Sequence, residues 1–307
     1  MLGQYVAMEA RSMGCDVVGT YNENSGPGGV RMDVTDPGSV SQVIGDEMPG
    51  TVVLCAAMTN VDQCEREPNR AYDINMEGAL NVASACRDSK AKMVYISTDY
   101  VFNGLKGGRY HEFETPDPLS VYAKSKLEGE RVTLDSGKGN LVCRVSVVYG
   151  WNRISGKGNF VTWIIDSLRE ERPIRLYHDQ YVSPTYAPAA AKCVLELAAR
   201  GAKGIMHTSG PDCLSRYQIG LAVAARPGEQ VWDACAGAGP GRAAAGSRDS
   251  HFSGCRGAPS RGRRGGVPHP VHPEGGPKGP GGARRAEGEK EAAGEIGKAD
   301  LHLYVRR

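Results

Sequence analysis

The sequence predicts an α/β protein built on a doubly wound, mainly parallel sheet. Three observations carry that prediction. Continuous apolar runs, among them Thr51-Val52-Val53-Leu54-Cys55-Ala56-Ala57 and Leu141-Val142-Cys143, recur between helix-forming stretches. These runs lack the polar alternation of a half-solvated sheet, so both faces must be covered. One run, Val94 to Thr98, stops at hydroxyl and carboxylate residues. That places chemistry at the carboxyl end of a strand, where ligands of such sheets bind.

Taken in order, Gly3 to Met13 carries Val6, Met8 and Ala10 among polar residues and stops at Gly14, as a helix closed by a C-terminal glycine. Cys15 to Tyr21 is a short buried strand, Gly26 to Arg31 a glycine-rich turn, and Met32-Asp33-Val34 the end of a strand. Asp36-Pro37 opens a helix through Val40, Val43 and Ile44, with proline in the first turn. The region from Glu65 to Cys86 is helical, with Ile74, Ala79, Leu80 and Val82 as its apolar stripe. From Ser120 a further helix presents Tyr122 and Lys126 one turn apart on the same face. Leu141 to Gly150 is a strand, Gly158 to Leu168 a helix, Ile174 to Tyr177 a strand and Asp179 to Tyr186 an ordered loop. Ala187 to Ala199 is an apolar helix and Gly204 to Thr208 a last strand. Ser215 caps a helix that reaches Ala225.

Composition sets the bounds. The chain has 307 residues, 40% of them hydrophobic, enough for a substantial core, but they thin out after about residue 225. Between Pro227 and Gly297, Gly, Pro, Ala and Arg leave too little apolar surface to offset the entropy of ordering. Residues 226–307 are therefore expected to be a low-complexity tail, disordered or read out of frame. A formal net charge of +2 points to neither nucleic acid nor a membrane, and an RNA-binding role for the Arg- and Gly-rich tail is the weaker reading. Nine scattered cysteines show no metal-ligand spacing and suit buried thiols in a reducing, cytoplasmic setting. No metal site is expected.

The residues at 98, 122 and 126 suit carbonyl-alcohol interconversion. A tyrosine phenol titrates near 10, so it exchanges a proton with a substrate oxygen only if its anion is stabilised. A lysine one helical turn away does this electrostatically and can also hydrogen-bond a ribose. The Thr98 hydroxyl can hold the substrate oxygen, and a hydride carrier supplies the other half of the reaction.

The segments Ser97-Thr98-Asp99-Tyr100-Val101-Phe102-Asn103-Gly104 and Tyr122-Ala123-Lys124-Ser125-Lys126-Leu127-Glu128-Gly129-Glu130 closely resemble the extended short-chain dehydrogenase/reductases. Within them they look most like the dTDP-4-dehydrorhamnose reductases. Cys55 to Glu65, Asn75, Arg144 to Gly150 and Asp179 to Ala187 match further landmarks in order, so the resemblance covers about residues 1–225. It implies that Tyr122 is the general acid/base, that Lys126 lowers its pKa and binds the nicotinamide ribose, and that Thr98 orients the carbonyl. Asp99 would be a branch-specific neighbour with a substrate or proton-relay role. Asp33 would lie near the adenine, Ala56, Ala57 and Met58 would line the cofactor, and Asn75 would support the lysine. Val101, Asn152, Arg153 and Trp163 would contact a nucleotide-sugar.

The implied fold is a Rossmann-like doubly wound parallel sheet with a small C-terminal substrate-binding region and a tail. The implied domains are 1–150 for NAD(P) and 151–225 for substrate. The family's first strand and most of its G-x-x-G-x-x-G turn have no counterpart here, and Gly3 matches only the last glycine. That predicts a slot in the sheet with unpaired backbone, each buried orphan costing about 1–3 kcal/mol, and impaired cofactor binding. The cofactor is NADP or NAD. Tyr21-Asn22-Glu23 stands where the second strand ends, and Glu23 falls late for a ribose-chelating acid, which leans the choice slightly toward NADP. The function implied is reduction of the 4-keto group of a dTDP-deoxysugar. Alternatives are a nucleotide-sugar epimerase or dehydratase, or a regulatory subunit like the methionine adenosyltransferase β subunit. A homodimer is expected.

Overall fold

The computed structural model describes residues 1–24, 28–152, 154, 156–225 and the backbone of 301–306. Helix α1 (Leu2–Ser12) leads into β1 (Asp16–Tyr21). Gly14, at φ +79°, makes the left-handed turn between them. After β2 (Val30–Arg31), the Asp36 carboxylate accepts a 2.9 Å hydrogen bond from the Gly38 amide and starts α2 (Pro37–Glu47). Strand β3 (Thr51–Leu54) is followed by α3 (Val61–Arg66), α4 (Pro68–Tyr72), a π-helical turn at Asp73–Glu77, and α5 (Gly78–Asp88). The region expected to be helical over 65–86 is so, in successive segments, and Pro68, which lacks an amide proton, starts the second of them. Next come β4 (Lys92–Thr98), α6 (Val121–Ser136), β5 (Leu141–Val145) and β6 (Val148–Tyr149). A left-handed residue, Val147 at φ +37°, splits what the sequence presented as one strand.

The remainder comprises α7 (Phe160–Arg169), β7 (Tyr181–Val182), β8 (Thr185–Tyr186), α8 (Ala187–Ala199), β9 (Gly204–His207), β10 (Leu214–Ser215), α9 (Arg216–Ala224) and β11 (Leu301–Arg306). The expected loop at 179–186 contains two short strands. The expected strand at 174–177 is irregular, and Ile174 and Leu176 instead pack against the core formed by α7 and α9.

The main sheet has the order β2-β1-β11-β3-β4-β5-β9. β1 and β2 run parallel, as do β3, β4, β5 and β9. Alternate residues of the apolar runs face opposite layers, which is why those runs are continuous. Val52, Leu54, Met93, Tyr95 and Val142 join α2 and α5 on one side. Val53, Val94 and Cys143 join α1 and α8 on the other. Leu80, expected in the stripe of α5, points outward, and Ala83 and Cys86 complete the stripe instead.

The expected slot is filled. Strand β11 lies between β1 and β3, antiparallel to both, with Leu303 opposite Gly19 on one side and Val53 on the other. Leu301–Arg306 is therefore a strand, contrary to the expectation of a wholly disordered tail. Its run of β-prone residues meets two sheet edges whose backbone groups otherwise lack partners. The rest of the tail, 226–300, lies outside the described residues, as does the turn at 25–27. Cys15, Cys55, Cys64, Cys86, Cys143 and Cys193 are free thiols, whereas Cys213 is disulfide-bonded, against the expectation of single thiols. Among the described residues no helix is long and apolar enough to cross a membrane.

Candidate active site

Two elements build the centre, the carboxyl end of β4 and the first two turns of α6. Ser120 caps α6, its Oγ accepting from the Ala123 amide at 3.2 Å. Gly129 then lets the helix approach: a Cβ there would lie 2.2 Å from the Tyr95 hydroxyl and 2.4 Å from the Asn75 carbonyl oxygen. This close packing buries Tyr122 and Lys126, the latter to 2% exposure. Lys126 Nζ donates to the Ile96 carbonyl at 2.7 Å and sits 3.9 Å from the centre of the Tyr95 ring.

Thr98, Asp99 and Tyr122 come together as expected. Thr98 Oγ1 donates to Asp99 at 3.2 Å, and a Thr98–Tyr122 side-chain hydrogen bond links β4 to α6. Burial raises the Tyr122 phenol above its ordinary pKa, with the Thr98 hydrogen bond opposing. Burial also lowers the Lys126 ammonium to about 7, with Glu130 and Cys55 opposing. Loss of water is the largest influence on both groups, opposed at Tyr122 by the Thr98 hydrogen bond and at Lys126 by the charges of Glu130 and Cys55. Asp99 is raised by burial too, against hydrogen bonds from Ser146 and Thr98.

Behind the centre, Asn75 ties three elements together. Its Oδ1 accepts from the Met58 amide at 2.8 Å, and its Nδ2 donates to the Met58 carbonyl and to Ser125 Oγ at 3.1 and 2.9 Å. Ser125 Oγ donates to the Tyr122 carbonyl at 2.9 Å. The helix asparagine thereby fixes both the segment after β3 and the helix that carries Tyr122. Three residues escaped the sequence reading. Ser146 donates to Asp99 Oδ2 at 2.5 Å, and the buried Arg144 forms a bidentate pair with Glu130 at 2.8 and 2.6 Å. The signal for them was that Arg144 and Ser146 fall within one matched landmark and Glu130 closes another.

The cofactor-side residues line the same edge of the sheet. Ala56 and Met58 are buried just past β3, and Gly3 is buried in the first turn of α1. Asp33 follows β2 and lines a cleft of about 570 Å³ together with Glu23, Val34, Ile74 and Asn81. Among the substrate-side residues, Val101 is fully buried against Phe102 and Leu127, so its side chain is core and offers no surface to a ligand. Asn152 accepts from the Ile154 amide at 3.3 Å, and Trp163 is half-exposed on α7 beside Phe160. Arg153 lies outside the described residues. Arg216, not expected, stands 4.5 Å from the Phe160 ring centre and bonds Gln180 at 3.1 Å.

Residues 1–254 match the family model described as RmlD substrate binding domain. The chain is similar to a solved hypothetical dTDP-4-dehydrorhamnose reductase from Sulfolobus tokodaii, with 32% identity and a TM-score of 0.67, over 73% of this chain and 78% of that one. It is similar also to the dTDP-4-dehydrorhamnose reductase of Bacillus anthracis solved with NADP, at 35% identity and a TM-score of 0.61, over 63% and 68% of the two chains. Methionine adenosyltransferase 2 subunit beta of Xenopus tropicalis is 32% identical over 73% of this chain and 68% of its own length.

Proposed function

The chain belongs to the RmlD substrate-binding-domain family, within the extended short-chain dehydrogenase/reductases, and on that premise we propose that it reduces the 4-keto group of a dTDP-deoxysugar with NADPH or NADH. The observation that carries the proposal is the grouping of Thr98, Asp99 and Tyr122 at the end of β4, backed by the buried Lys126. On this reading residues 1–150 hold the dinucleotide and 151–225 the sugar nucleotide.

The residues present suit a dinucleotide at its two ends. Asp33, Val34 and Ile74 offer a carboxylate and apolar walls to an adenosine, and Lys126 keeps ammonium protons for a ribose beyond the one given to Ile96. Gly3 and residues 56–58 would line the stretch between. When bound, the dihydronicotinamide supplies a hydride to the carbonyl carbon. Thr98 then holds the carbonyl oxygen, and Tyr122 delivers the proton that makes it a hydroxyl. The raised phenol pKa keeps that proton in place at neutral pH. Burial excludes the water that would compete for it.

The test is turnover of a dTDP-4-keto-6-deoxysugar with each dinucleotide, for the chain and for Tyr122→Phe. Removing the acid is expected to lower kcat by about 10²–10⁴-fold with dinucleotide binding unchanged. Full activity in Tyr122→Phe would sink the assignment. Dinucleotide binding without turnover of any keto-sugar would favour the regulatory-subunit reading, which the similarity to methionine adenosyltransferase 2 subunit beta supports.

A further inference from the structure

The cleft at the carboxyl ends of β1 and β2 has a charge pattern that the proposed chemistry does not require. Four carboxylates line it: Glu23 after β1, Asp33 after β2, and Asp73 and Glu77 on the π-helical turn. One cation, Arg70, lines it among the described residues, and its Nη1 lies 3.4 Å from the Glu67 carboxylate. Arg31, at the end of β2, is not among the lining residues. Asp33 Oδ1 accepts from the Thr35 amide and hydroxyl at 2.9 and 2.8 Å, neither of them a cation.

An adenosine ribose enters such a sheet from this edge, and its 2′ position faces the end of the second strand of the fold, here β1. A free 2′-hydroxyl is a donor that carboxylates accept. A 2′-phosphate carries about −1.5 to −2 charges and would sit within one screening length, about 8–10 Å, of several carboxylates. Without a second arginine to pair it, that dianion is repelled.

We infer that this chain selects NADH over NADPH, through the carboxylates that ring the ribose end of its cofactor cleft. The inference rests on the reductase reading and reverses the slight lean toward NADP drawn from Glu23 falling late after its strand. The π-helical turn explains the reversal. It brings Asp73 and Glu77, some fifty residues distant in sequence, to the same cleft as Glu23.

The experiment needs no turnover. Titration calorimetry of the full chain with 5′-AMP and with adenosine 2′,5′-bisphosphate compares two ligands that differ only in the 2′-phosphate. The expected result is that 5′-AMP binds at least about tenfold more tightly at low ionic strength, and that this ratio shrinks at about 0.5 M salt. The variant Glu23→Gln/Asp73→Asn/Glu77→Gln should narrow the ratio, chiefly by tightening the bisphosphate. Equal or tighter binding of the bisphosphate overturns the inference, and so do a ratio indifferent to salt and a chain that binds neither ligand. A chain that prefers 5′-AMP yet reduces no keto-sugar keeps this inference and loses the function proposed above.

Discussion

Lys126 offers the most exacting check on the centre, because burial and charge oppose each other there. Its ammonium is 2% exposed, and its pKa falls from 10.5 to about 7. That drop corresponds to about 5 kcal/mol between the two protonation states. Below pH 7 the folded and unfolded chains both carry the proton, and the folded one bears the full burden of a buried charge. Between pH 7 and 10.5 the unfolded chain keeps a proton that the folded chain has released, so this residue's contribution to stability rises with pH. Lys126→Met removes the titration but leaves the Ile96 carbonyl without its 2.7 Å donor, a cost of about 1–3 kcal/mol. The variant should therefore be more stable than the parent at pH 6 by a few kcal/mol. That advantage should shrink steadily above pH 7 and turn into a deficit near pH 10. Urea unfolding of both proteins at half-unit steps from pH 6 to 9.5 measures it. Ionisation of unfolded thiols, which also enters near pH 9, cancels in the difference because Cys55, Cys86 and Cys143 are common to both. A difference that stays flat across the range, or one that moves further in favour of the methionine variant as pH rises, would refute the burial argument.

Gly129→Ala should destabilise the chain by about 1–3 kcal/mol, because the Asn75 carbonyl at 2.4 Å from the added methyl is backbone and cannot swing away. Thermal unfolding reads this directly, and combining it with Tyr95→Phe should restore only part of the loss. An unchanged Tm would mean that α6 does not pack this closely. Leu303→Pro removes an amide from a strand paired on both sides and should cost about 1–3 kcal/mol. Unaltered urea unfolding would place Leu301–Arg306 outside the sheet.

What was legible in the sequence is what local periodicity encodes. Tyr122 and Lys126 could be placed on one face because a helix repeats within four residues, and Pro37 and Ser215 announced their helices through first-turn and capping chemistry. The residues that hold the centre in place are partners across the fold. Ser146 reaches Asp99 over 47 positions, and Asn75 reaches Ser125 over 50. Val101 misled for a related reason: it sits inside a motif rich in functional residues, but its neighbours in space are Phe102 and Leu127, so it serves the core.

The strand in the slot shows how far such long-range pairing can depart from sequence order. β1 and β3 each present a row of amides and carbonyls to the gap between them, and no pairing of β1 with β3 is possible while both lie in one sheet beside a third strand. Leaving those rows bare would forfeit several hydrogen bonds, a large part of the 5–15 kcal/mol that separates a typical folded domain from its unfolded chain. Any extended segment without proline can supply the missing partners, since the ladder reads backbone and not side chains. Leu301–Arg306 is such a segment, and its distance along the chain from its partners adds little, because the entropic cost of closure grows only with the logarithm of the separation. β11 runs antiparallel to both neighbours, and the ladder accepts either direction, since each supplies a backbone partner for every exposed amide and carbonyl. The edge of the sheet that holds Thr98, Asp33 and Glu23 is then supported by strands on both sides of the gap, which is the condition the candidate site needs to keep its geometry.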